Sequence, residues 1–69
     1  MVKQLFKVGD VVTLKTNSTK LLINRVEELL DYGTIVSYNC YCHWIDNNKT
    51  PHFVMYDQRL LKSLDQDKV

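Results

Sequence analysis

The 69-residue sequence predicts an all-β fold, a single small, strongly bent β-barrel of about five mostly antiparallel strands over residues 1–64. Three observations carry that expectation. Gly9-Asp10 forms a turn that feeds the run Val11-Val12-Thr13-Leu14, with Val12 and Leu14 on one face. Residues 34–45 alternate with period 2, as a half-buried strand does. Turn residues recur at Asn17-Ser18, Asp31-Tyr32-Gly33 and Asp46-Asn47-Asn48-Lys49, cutting the chain into pieces of strand length.

After the first strand, residues 20–32 admit two readings. Ser18 or Thr19 can cap a helix and Gly33 can stop it. Leu22, Val26, Leu29 and Leu30 fall at helical spacing between them, among good helix formers. The other reading is a strand through Leu21 and Ile23 that continues past Val26 into a hairpin with residues 34–45. Local residues leave both open.

The third element runs from Thr34 to Ile45. Val36, Tyr38, Cys40, Cys42 and Trp44 share one face, and Ser37, Asn39, Tyr41 and His43 the other. Such a stretch exceeds the usual strand, so a bend or bulge is expected within it. Pro51 opens the next strand, where its missing N–H does least harm, and Phe53 and Met55 share a face there. A tight connection at Asp57-Gln58-Arg59 leads to Leu60, Leu61 and Leu64, which close the barrel. The tail 65–69 is too polar to pack and is expected to fray.

Nine basic and eight acidic side chains leave a formal charge of +1, which argues against an obligate polyanion binder. The charges are segregated, however. Residues 1–25 carry Lys3, Lys7, Lys15, Lys20 and Arg25 against Asp10, whereas residues 26–69 hold four bases against seven acids. The molecule is therefore expected to be electrically two-sided. No apolar run approaches the length of a membrane span, and the N-terminus lacks the apolar stretch of a signal peptide, so no membrane partner and a cytoplasmic location are expected. Cys40 and Cys42, as alternate residues of one strand, are too far apart for a relaxed disulfide and are expected as reduced, half-buried thiols.

Gly9-Asp10-Val11-Val12, Leu14-Lys15, Lys20-Leu21-Leu22-Ile23 and Cys42-His43-Trp44-Ile45-Asp46, in that order, resemble the YodC-like family of small bacterial proteins. The resemblance covers roughly residues 6–61 and implies an SH3-like barrel with Leu21 and Ile23 on a strand. It implies no activity, because the family has none assigned. Thr16-Asn17-Ser18-Thr19 stands where the family has a glycine-glycine-proline turn, and Ile45 replaces an aromatic. The stretch from Glu27 to Asn39 is longer than usual, which implies that the second and third strands extend as a long hairpin. The expected core is Val8, Val12, Leu14, Leu21, Ile23, Val36, Cys42, Trp44, Phe53 and Leu61.

Candidate chemistry is sparse. Cys40, Cys42, His43 and His52 have metal-ligand residue types, but a Cys-x-Cys on one strand face leaves His43 on the opposite face, so packing is the expected role and no metal or cofactor is predicted. A cysteine nucleophile needs a nearby base and an electropositive setting, and neither is visible, so no enzyme is predicted. Two binding classes remain. Tyr41 and Tyr56, on polar strand faces, and Tyr32, in a turn, suit a protein interface or self-association. A non-catalytic module for protein–protein binding or assembly is the expectation. The alternative is nucleic-acid binding by a basic lobe of Lys7, Lys15, Lys20 and Arg25, with Tyr41 and His43 as exposed aromatics.

Overall fold

The computed structural model describes residues 2–64, and the predicted polar tail lies outside the described residues. Five strands, β1 (Val11–Leu14), β2 (Lys20–Asp31), β3 (Thr34–Ile45), β4 (Pro51–Asp57) and β5 (Leu61–Ser63), form one open antiparallel sheet in the order β4-β3-β2-β1-β5. A 3-10 turn, Gln58–Leu60, joins β4 to β5. No α-helix occurs among the described residues, so residues 20–31 follow the strand reading.

The apparent helical spacing in β2 has a physical source. Its register with β3 slips between Ile23 and Arg25, leaving Asn24 as an extra residue. Leu21 and Ile23 face the core before the slip, and Val26 packs against it afterwards. A bulge shifts the inward phase by one residue, so a broken period of 2 imitates a period near 3.6. A second shift, between Leu29 and Leu30, sets Ser37 and then Ile35 opposite β2 and supplies the irregularity expected in β3.

Glycines act at two turns. The Gly9 N–H donates to the Ile23 carbonyl at 2.9 Å, and the Ile23 N–H donates to Asp10 at 3.0 Å. Two residues thus oppose one, and Gly9 supplies the positive φ of 95° this bulge needs. At the tip of the β2–β3 hairpin, Tyr32 (φ 50°) and Gly33 (φ 78°) both take positive φ, the arrangement of a type I′ turn. In the β3–β4 turn, Asp46 Oδ1 accepts the N–H groups of Asn48 and Thr50, which fixes the chain reversal.

The core joins Phe6, Val12, Leu21, Ile23, Cys40, Cys42 and Leu61, with Leu14, Val26, Trp44, Val54 and Tyr56 packed at its margin. Phe6 is brought in by Gln58, whose buried amide accepts the Leu5 N–H and donates to the Lys3 carbonyl, both at 2.9 Å. The N-terminal segment is thereby tied to the 3-10 turn.

Three expected core residues are exposed instead: Val8, Val36 and Phe53. Val8 sits in the loop before Gly9. Val36 lies where β2 and β3 continue as a two-stranded ribbon beyond β1 and β4, which pair only as far as Leu22 and Asn39 respectively. In β4 the phase is the reverse of the expected one, with Val54 and Tyr56 inward and Phe53 and Met55 outward. Leu60 is likewise exposed while Leu61 is buried.

Candidate functional site

An antiparallel sheet with one solvated face ordinarily carries polar residues on it. Here the outer face of β1–β4 is apolar along a row of registered neighbours. Val11 stands opposite Leu22, Leu22 opposite His43, and His43 opposite Phe53. Val11 and Leu22 are partly exposed, and Phe53 is 75% exposed. Flanking rows add Tyr41 opposite Met55 and Ile45 opposite Pro51, with Met55 48% and Ile45 62% exposed. Together with Asn24 and Arg25, these β3 and β4 residues line an open groove of about 800 Å³.

Local interactions hold the groove's polar members in place. The Arg25 guanidinium lies over the Tyr41 ring at 5.4 Å from its centroid and bonds Glu27 at 3.0 Å. A hydrogen bond donated to the Glu27 carboxylate pushes the Tyr41 phenol above its usual range, so the hydroxyl is engaged within the chain. His43 Nδ1 lies 3.0 Å from Asn24 Oδ1, the residue extruded by the β2 bulge. That contact leaves the imidazole ring tilted against Phe53, with centroids 6.0 Å apart.

The other candidates separate. Lys15 and Lys20 share a smaller groove with Thr13, Asn17 and Lys62. Thr13 is registered between Lys20 on β2 and Lys62 on β5, so its buried side chain lies under lysine stems. Arg25 belongs to the apolar groove, five residues along β2 from Lys20, and Lys7 lies in the loop closed by its N–H bond to Asp10. The four cations of the expected basic lobe are therefore not gathered. Tyr32 is fully exposed at the ribbon tip. Tyr56, expected on a polar face, packs against the core.

The cysteines and His52 pack or pair within the fold. Cys40 and Cys42 are free and buried. Burial pushes the Cys42 thiol up to about 11, and burial followed by Asp57 and Asp10 raises Cys40. A raised thiol favours the protonated form at neutral pH, which is the less nucleophilic one. His52 stacks on Trp44 with centroids 4.2 Å apart and bonds Asp46 at 2.8 Å. Among the described residues, no group of three or more His, Cys, Asp and Glu is arranged to hold a metal ion. No helix among them is long and apolar enough to cross a membrane.

Phe53, Met55 and Ile45 were not legible as site residues, because an apolar side chain in a strand reads first as core. The available signal was that Phe53–Tyr56 is apolar in both phases of its alternation. Comparison with protein-family profiles, curated proteins and solved structures returned no match.

Proposed function

We propose that this chain is a non-catalytic binding module whose outer sheet face takes an apolar segment of a protein partner. The observation that carries the reading is the row Val11, Leu22, His43 and Phe53, flanked by Tyr41, Met55 and Ile45, on a face open to solvent. Contiguous apolar area of this kind, rimmed by polar groups, is the usual mark of a binding surface. Arg25 and Asn24 form a polar rim that orients a partner, and His43 sets one polar group within the row. The buried, protonated cysteines support a role without covalent chemistry.

The scaffold in this reading is an SH3-like barrel. β5 lies beside β1, and the 3-10 turn carries the chain from the β4 edge to the opposite one, as closure of a bent sheet requires. The YodC-like resemblance supports the same assignment, and a cytoplasmic location belongs to it.

Nucleic-acid binding remains a second reading, favoured by Lys15 and Lys20 on one groove. Fluorescence anisotropy of labelled single- and double-stranded oligonucleotides across a salt series separates the two. Two to three phosphate contacts correspond to a log–log salt slope of roughly −2 to −3. The expected result is weak association lost by about 150 mM salt. Micromolar or tighter binding that persists there, and falls on charge reversal at Lys15 and Lys20, would install the second reading.

A further inference from the structure

The two edges of the sheet are built differently. β5 is three residues long and carries Lys62 at its centre, and shortness and lysine both discourage edge pairing. β4 is seven residues long, has no Lys or Arg, and borders the apolar groove. Among the described residues, no strand pairs with its outer side.

The outward backbone groups of β4 can be assigned. The Asp46 N–H donates to the Thr50 carbonyl at 3.1 Å, and the register continues unbroken from Ile45↔Pro51 to Asn39↔Asp57. Hydrogen-bonded and non-bonded pairs alternate along an antiparallel ladder. Trp44–His52, Cys42–Val54 and Cys40–Tyr56 are therefore the bonded pairs. The N–H and C=O groups of Phe53, Met55 and Asp57 point away from β3. Pro51 falls in the same outward set, where its missing N–H costs the ladder nothing.

We propose that β4 pairs antiparallel with β4 of a second copy of this chain, about a two-fold axis through Val54. Phe53 then exchanges main-chain hydrogen bonds with Met55 of the second copy, and Met55 with its Phe53. The Asp57 N–H donates to the opposite Pro51 carbonyl. The strand is self-complementary in this register, as a two-fold interface requires. On the groove side, each Phe53 ring lies beside a Met55 thioether, a favourable sulfur–aromatic pairing that covers two exposed side chains. Charge permits the approach. Lys15 and Lys20 lie toward the β1 side of the sheet, and the Asp57 carboxylate is held by Arg59 at 2.6 Å. This inference goes beyond capture of a partner segment, since it rests on the β4 main chain and leaves Val11, Leu22 and Tyr41 available.

The test is sedimentation velocity of the full chain from about 10 µM to about 1 mM, with amide exchange followed by NMR at both ends of the range. The expected result is a weight-average mass that rises from monomer toward dimer. Protection increases at the Phe53, Met55 and Asp57 amides by about tenfold or more, while Val54 and Tyr56, already bonded to β3, do not change. Met55→Pro removes one outward N–H, and Phe53→Lys places a charge at an exposed position. Both are expected to keep the wild-type circular dichroism and to stay monomeric. Should Met55→Pro not fold, Phe53→Lys carries the test. A wild-type monomer throughout, or association that these variants leave unchanged, would overturn the proposal. A wild-type chain that stays monomeric yet captures apolar peptides brings down self-pairing alone, and a wild-type dimer that captures none brings down the face reading alone.

Discussion

Ile23 on β2 and Phe53 on β4 are both large apolar side chains, yet the sheet uses them in opposite ways. Ile23 is buried between β1 and β3, and its truncation to Ala should cost about 3–4 kcal/mol. Trp44, half-buried and stacked on His52, should lose about 2–3 kcal/mol on the same change. Phe53→Ser removes a mostly solvated ring and should change stability by less than about 0.5 kcal/mol. Chemical denaturation of the three variants checks the ranking, and a Phe53→Ser loss matching that of Ile23→Ala would put Phe53 in the core.

Asp57 shows how one carboxylate links elements. Its oxygens accept from the Ser37 hydroxyl at 2.7 Å on β3, and from the Arg59 N–H at 2.9 Å in the 3-10 turn. The Arg59 guanidinium, its main-chain N–H and Ser37 hold this carboxyl well below the usual range against the opposing effect of burial. A depressed folded-state value means that the stabilisation is complete above about pH 4 and is lost as pH falls toward the folded value. Asp46, lowered by His52 and the Thr50 N–H, acts with the same sign. Asp57→Asn should lose about 1–3 kcal/mol at pH 7. It should also show a shallower fall in stability between about pH 4 and pH 2 than the wild type does. Equal acid slopes in the two proteins would show that Asp57 does not carry the effect.

At the scale of elements, turns and strand lengths were legible, and the phases of β2 and β4 were not. Thr34–Ile45 and the start of β4 at Pro51 follow directly from alternation and turn chemistry. β2 was ambiguous because the bulge at Asn24 disrupts its alternation, and the partner strand that reveals a bulge is distant in sequence. β4 was assigned the wrong inward face because Phe53-Met55 and Val54-Tyr56 are equally apolar. Only packing against the core cluster selects between them. Tyr41 and His43 were legible as outward residues, since Cys40 and Cys42 define the inward phase of β3.

The β2–β3 turn yields a prediction at the same scale. Tyr32 holds φ at 50°, a region that L side chains other than Asn and Asp rarely occupy. Its ring is fully exposed, so no burial offsets the strain. Tyr32→Asn gives the Asn-Gly pair that type I′ turns favour and should raise stability by about 0.5–1 kcal/mol. Thermal unfolding measures it. An unchanged or lower midpoint would mean that the turn is not of this type.

At the scale of the whole molecule, the sheet separates its tasks by face and by end. One face is closed by Phe6 and the core, while the other keeps Phe53, Met55 and Ile45 in water. Lysines gather at the β1 side, and Arg25 joins the apolar groove. Burying the outer face against a partner would recover about 25 cal/mol for each Å² of apolar surface removed from water, before the cost of association. On the proposed reading, that gain favours an apolar protein segment as the ligand. The most direct test is selection of random peptides displayed on phage against the full chain, followed by NMR of its methyl groups during titration with the selected peptides. The account predicts apolar or aromatic peptides that shift the Met55 and Ile45 methyl signals and are no longer captured by Phe53→Ser. Selection of no peptides, or shifts centred on Thr13 beside Lys15 and Lys20, would contradict it.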